Sequence, residues 1–169
     1  IQWSNEGVAA AHKFIQRVWT LNCRILERKN ILSSEEEEKT FLVNINKYLF
    51  KITNLIEKFS LNVAIANVYE AIRFLEESLA KNVGNQHFLS AQINIMKAMM
   101  PFTPHLSWEC LSKLEGEDFY TKIEWPKIEK NLLIDDKVTI VVQVDGKKRG
   151  LISINKDSSE KKVIDAAKK

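Results

Sequence analysis

The sequence predicts a mainly α protein, an antiparallel helix bundle followed by a shorter α/β piece with a β-hairpin and one helix. Three observations carry this. Helix breakers are scarce, with 5 Gly and 3 Pro among 169 residues. Up to about residue 125, apolar residues recur at three- and four-residue intervals, the signature of helices with one buried face. After "EWPKIEKNLLIDD" the interval falls to two on either side of Asp145-Gly146, a pair that favours a tight hairpin turn. The expected organisation is a helical domain over 1–125 and a second piece over 126–169, with the hairpin at about 137–154 and a helix from about 158.

The first helix is expected from about Glu6 to Lys29, capped by Ser4. Its apolar stripe is Val8, Ala11, Phe14, Ile15, Val18, Ile25 and Leu26, broken by Asn22. The second opens on Ser33 or Ser34 with a Glu three residues on, a capping-box pattern. Glu35–Glu38 also suit the positive end of its dipole. The stripe that follows is Phe41, Ile45, Tyr48, Leu49, Ile52, Leu55, Ile56 and Phe59. A third helix starts at Ser60 or Asn62 and buries Ala64, Ile65, Val68, Tyr69, Ile72, Leu75 and Leu79. After Gly84-Asn85 a fourth carries Phe88, Leu89, Ile93, Met96 and Met99, and Pro101 ends it. Thr103 then caps a short fifth helix with Pro104 in its first position, where a missing N–H does no harm, running to about Leu114. Short connections between long helices make neighbours antiparallel.

In the hairpin, "KVTIVVQV" faces "RGLISI", but two- and three-residue loops each put some apolar side chains on the wrong face. The register therefore stays open. A two-stranded hairpin with part of a helix is marginal alone, so the tail reads as the first half of a small α/β domain, truncated.

The composition, 45% hydrophobic and 28% charged, is that of a soluble globular protein. No apolar run approaches the roughly 18 residues that span a bilayer, so no membrane partner is expected. The opening IQWSNEGV lacks the regions of a signal peptide, and the missing initiator Met reads as a chain cut from something longer. Cys23 and Cys110 show no paired spacing and read as reduced core thiols of a cytoplasmic protein. Residues 1–125 carry a net charge of −1 and residues 126–169 a net of +4. That local basic excess points to an anionic partner.

No Gly-rich phosphate loop, metal-spaced His/Cys set or nucleophile motif appears, so neither catalysis nor a cofactor is expected of this chain itself. His12, His87 and His105 are isolated and read as surface or helix-end residues; the Glu35–Glu38 run reads as a solvated helix start. Met96, Met99 and Met100 read as core. Lys13, Arg17, Arg24 and Arg28 are separated by 4, 7 and 4 residues. At about 100° per residue they share an arc of roughly 60°. Four cations on one line can follow a row of phosphates, and an ordinary solvated face explains them equally well. Lys147, Lys148 and Arg149 form a second basic group without a stacking aromatic, suited to backbone contact if not merely to solubility or edge protection.

Three stretches carry a resemblance. "IQWSNEGVAAAHKFIQRVWTL", "FSLNVAIANVYEAIRFL" with "MMPFTPHLSWECLSKL", and "WPKIEKNLLIDDKVTIVVQVDGKKRGLISI" resemble, in order, the C-terminal region of bacterial leucyl-tRNA synthetases. The first two are shared loosely with the valyl and isoleucyl enzymes; the last, similar to a VQVNGKxRG hairpin, favours the leucyl family. Asp145 stands where Asn is usual, Lys148 where a less polar residue is common, and Trp108 precedes Glu109 where the family shows paired acids and then Trp.

The resemblance implies a helical anticodon-binding domain of class I synthetase type, then the start of a C-terminal domain that reaches the tRNA elbow. It implies a parent enzyme that attaches leucine to tRNA using ATP with Mg, through catalytic and editing domains whose HIGH and KMSKS motifs are absent from these residues. Phosphate contact is then expected of Arg17, Arg24, Arg28, Lys147, Lys148 and Arg149, and more weakly of Lys13, which sits where a cation opposes the helix dipole. The rival readings are a valyl- or isoleucyl-type fragment and a helical protein-interaction module.

Overall fold

The computed structural model describes residues 4–133, 137–144, 147–155, 158 and 160–167; for Lys122, residues 137–139, Val144, Lys148, Ser153 and Asn155 it describes the backbone alone. The chain divides into two compact units, 1–129 and 130–169. The first holds five helices: α1 (Asn5–Glu27), α2 (Glu35–Glu57), α3 (Leu61–Ser78), α4 (Asn85–Met99) and α5 (Pro104–Glu115), followed by a 3-10 turn at Glu117–Lys122. The expected bundle is present. Helix α2 packs on α3 and α4, and α1 packs on α4 and α5. Side chains carry α1 to α3 as well, where the rings of Phe14 and Tyr69 stack with centroids 3.6 Å apart.

One core fills the unit, with Leu21, Ile25, Phe41, Ile52, Ile72, Leu75, Phe88, Ile95 and Met96 almost fully buried. Burial of each such side chain contributes roughly 1.5–3 kcal/mol. The α1 stripe is buried only from Phe14 onward. Val8, Ile15 and Leu26 stay exposed, and the buried positions are Phe14, Val18, Leu21, Asn22 and Ile25. Asn22 is fully buried and accepts a 3.3 Å hydrogen bond from the Gln92 amide of α4, so the polar break in the stripe is a core contact.

Phe59 departs furthest from expectation. Periodicity puts it on the buried face of α2, yet it is 85% exposed. The helix stops at Glu57, and Lys58 and Phe59 turn the chain toward α3. The Ser60 N–H reaches the Leu55 carbonyl at 2.8 Å and the Phe59 N–H reaches the Ile56 carbonyl at 2.9 Å, the paired closure of a Schellman motif. That closure needs a left-handed residue, and Phe59 supplies it at φ 56°. Glycine is usual there, because an L side chain pays about 1–2 kcal/mol for the conformation.

Of the expected caps, Ser4 makes its bond, accepting from the Gly7 N–H at 3.0 Å, whereas Ser34, Ser60 and Thr103 occupy cap positions without a side-chain cap bond. Residues 126–129, which the change of rhythm assigns to the tail, belong to the helical unit. Asn46 of α2 holds Glu129 by both backbone groups, at 2.9 Å to its N–H and 2.7 Å to its carbonyl, and Trp125 donates to the Thr53 hydroxyl at 2.9 Å.

The second unit holds a short 3-10 turn (Lys130–Leu133), strands β1 (Lys137–Val144) and β2 (Lys147–Asn155), and helix α6 (Glu160–Ala167), which packs on β2. The strands are antiparallel, with Val144 opposite Lys147, Gln143 opposite Lys148 and Val142 opposite Gly150. Arg149 is thus an extra residue, a β-bulge, and it resolves the open register. Without it Val142 would face Arg149 and Ile140 would face Leu151. With it Ile140 faces Ile152, and Ile140, Val142, Ile152 and Ile154 are all half-buried while Val141, Gln143 and Leu151 face solvent. The Asp145-Gly146 turn itself lies outside the described residues.

Candidate nucleic-acid interface

The four cations of α1 do not form one rail. At about 100° per residue, Lys13 and Arg24 lie roughly 20–40° to one side of Arg17, and Arg28 about 20° to the other. That small rotation decides their fates. Lys13 and Arg24 are exposed, with no ion pair among the described residues. Arg17 is bound to Glu76 of α3, its Nε 2.7 Å from Oε2 and its Nη2 on the same oxygen. The hydrogen bond and the charge of Glu76 raise the Arg17 pKa above its ordinary value.

Arg28 turns inward and is half-buried. Its guanidinium donates to the carbonyls of Val83 at 2.9 Å, Lys81 at 3.0 Å and Leu79 at 3.4 Å, and lies 4.4 Å from the Phe88 ring centroid. Burial lowers its pKa. The same α3–α4 turn is held from the other side by the start of α2. Glu37 accepts the Asn82 N–H at 2.7 Å, Glu38 accepts the Gly84 N–H at 3.2 Å, and the Ser34 N–H donates to the Asn82 carbonyl at 2.7 Å. His87 Nε2 lies 3.1 Å from Glu38. The Ser33 hydroxyl, then the Gly84 amide and His87, hold the Glu38 carboxyl below its ordinary value. So Glu37 and Glu38 are more than a solvated helix start: they receive main-chain donors of the α3–α4 turn.

On the hairpin, Lys147 and Arg149 are exposed; the side chain of Lys148 lies outside the described residues. The cations sit on β2 and its bulge. Among the described residues no group of three His, Cys, Asp or Glu could hold a metal, and no helix is long and apolar enough to cross a membrane. Cys110 is fully buried, and burial pushes its thiol up to about 12; Cys23 is half-buried.

Sequence reasoning passed over Lys51 and Lys58, both exposed on α2, and misplaced Phe59 beside them. Their seven-residue spacing was visible, but the turn that frees Phe59 was not. Trp108, out of the familial order, is 48% exposed and stacks on Tyr120, centroids 5.8 Å apart, with Phe119 at its edge.

Comparisons with known proteins place this architecture. Residues 38–164 match the family described as the anticodon-binding domain of tRNA ligase. A leucine–tRNA ligase of Jannaschia sp. (strain CCS1) is 30% identical over 169 residues, covering 96% of this chain and 19% of that protein. One from Hyphomonas neptunium is 30% identical over 174 residues, covering 99% of this chain and 20% of that protein. The chain therefore spans about a fifth of the length of these relatives. Its fold also matches the LeuRS agnB2 of Agrobacterium radiobacter K84, solved as a ternary complex with tRNA and LeuAMS, at a TM-score of 0.80 and 21% identity, over 98% of this chain and 22% of that one. With the family matched across three-quarters of its residues, the chain belongs to the anticodon-binding domains of tRNA ligases.

Proposed function

We propose that this chain is the tRNA-binding portion of a leucyl-tRNA ligase, orienting leucine-accepting tRNA for a catalytic domain that esterifies leucine with ATP and Mg. The family match over residues 38–164 carries the reading, and the leucine–tRNA ligases among its relatives supply the amino acid. In this reading the catalytic and editing domains belong to the same parent chain, which works in the cytoplasm. The fragment contributes grip and register through phosphate contacts, which position RNA without reading its sequence.

Exposure divides the candidate cations. Lys13, Arg24, Lys147 and Arg149 are exposed and free to meet phosphate, and the reading extends to Lys148 as their neighbour in sequence. Arg17 and Arg28 act in this proposal by holding α1 against α3 and the α3–α4 turn, which keeps Arg24 in place.

The test is binding of the 169-residue chain to leucine tRNA and to an unrelated tRNA across a salt series. The logarithm of affinity should fall linearly with log salt, by roughly 0.9 per duplex phosphate neutralised. Lys13→Ala with Arg24→Ala, or neutralisation of Lys147, Lys148 and Arg149, should each make that slope shallower. Absence of binding at low salt refutes the reading for this chain.

A further inference from the structure

Phe59 holds an unusual position. It fills a left-handed site that glycine would fill without strain, and its ring gains no burial in return. Stability of the bundle does not explain the residue, which leaves contact with something outside the bundle. Its surroundings indicate what. Lys58 precedes it and is exposed, and Lys51 lies on the same side of α2, about 20° away at 100° per residue. Asn54 lies within about 60° of both; Glu57, exposed before Lys58, lies about 100° further round the helix, and Glu36 shares the arc only at the far end of α2.

Two lysines on a line that ends in a free aromatic ring form the arrangement that holds single-stranded nucleic acid, cations along the backbone and a ring against a base. Because the Schellman closure fixes the Phe59 backbone, the ring is presented with little left to order. The exposed Trp108–Tyr120 pair lacks this setting. Its chain neighbours Glu109, Glu117 and Asp118 bring three acids, where Phe59 has Glu57 alone.

We propose that Phe59 is a stacking platform for an unpaired nucleobase of the bound RNA, with Lys51 and Lys58 on the adjoining phosphates. The inference rests on the reading of the chain as a tRNA-binding portion and adds a site at the α2–α3 turn to the cations already named.

Phe59→Gly supplies the test, because it relieves the left-handed strain and leaves the fold intact. Affinity for leucine tRNA and for a short single-stranded oligoadenylate carrying 2-aminopurine would be measured for wild type, Phe59→Gly, Phe59→Leu and Phe59→Trp. Expected are a loss of about 5- to 150-fold for Gly and for Leu, retention by Trp, and an unchanged salt slope in all three. Aminopurine fluorescence should be quenched by wild type and Trp alone. Lys51→Ala with Lys58→Ala should instead make the slope shallower. If wild type binds no tRNA, the preceding reading falls and takes this one with it. If wild type binds and Phe59→Gly binds equally well, only this inference is overturned. Recovery of affinity by Leu overturns it too, in favour of apolar contact. So does a dimer, seen by sedimentation, that Phe59→Gly dissociates while RNA binding is untouched.

Discussion

Arg28→Ala separates a cation that builds the fold from one free to touch a ligand. The guanidinium makes two good charged hydrogen bonds, to Val83 and Lys81, a longer one to Leu79, and a ring contact with Phe88. Two such bonds contribute about 1.5 kcal/mol each at the low end of their range, and the ring contact about 0.5–1. Relief of burying the charge offsets part of this, so the net loss expected is about 2–3 kcal/mol. With a urea slope of about 2 kcal/mol/M, the unfolding midpoint of the helical unit should fall by roughly 1–1.5 M. Arg28→Lys should recover little, because a single ammonium cannot fork to three carbonyls. Arg24→Ala, one turn earlier and exposed, should stay within about 0.5 kcal/mol of wild type. Urea titrations followed by circular dichroism of the three variants decide it. A loss below about 0.5 kcal/mol for Arg28→Ala would refute the reasoning, since three carbonyls would then have found equal partners in water.

Two further outcomes follow from the titratable groups. The Glu38 carboxyl titrates below its ordinary 4.5 when folded, so its contribution is complete above that value and is lost as pH falls through the lower folded one. Glu38→Gln should therefore flatten the acid limb of a stability–pH curve and leave its neutral part parallel; an unchanged acid limb would contradict the assignment. For the thiols, iodoacetamide at pH 8 should label Cys23 in the folded protein and spare Cys110, whose thiolate is scarce with a pKa near 12 and whose side chain is fully buried, with both labelled in denaturant. Mass spectrometry of the labelled peptides reads this directly.

The helices were legible because each is long and periodic, and burial of one face dictates period on its own. What escaped depends on partners far along the chain. Arg17 and Arg28 share an arc with Arg24, and nothing in α1 tells that Glu76 and the Leu79, Lys81 and Val83 carbonyls will come to meet two of the three. Glu37 and Glu38 looked like dipole charges because their acceptor role needs a turn 45 residues later. Phe59 continued a period that the helix itself did not. The hairpin register turned on a single extra residue, which alternation alone cannot count.

The α3–α4 turn has a consequence for how this protein can change over time. Its holders, Arg28, Ser34, Glu37 and Glu38, all grip main-chain atoms of residues 79–84. Main-chain atoms are the same whatever residue bears them, so identities in the turn are free to drift while its length is not. An insertion would carry donors and acceptors past their partners at once. The exceptions are Leu79 and Val83, which pack with the core, and Gly84, where a Cβ would stand 3.0 Å from the Glu38 carboxylate. Across descendants of this sequence, Ala80, Lys81 and Asn82 should vary in composition and hold their count, with apolar residues kept at 79 and 83 and glycine at 84.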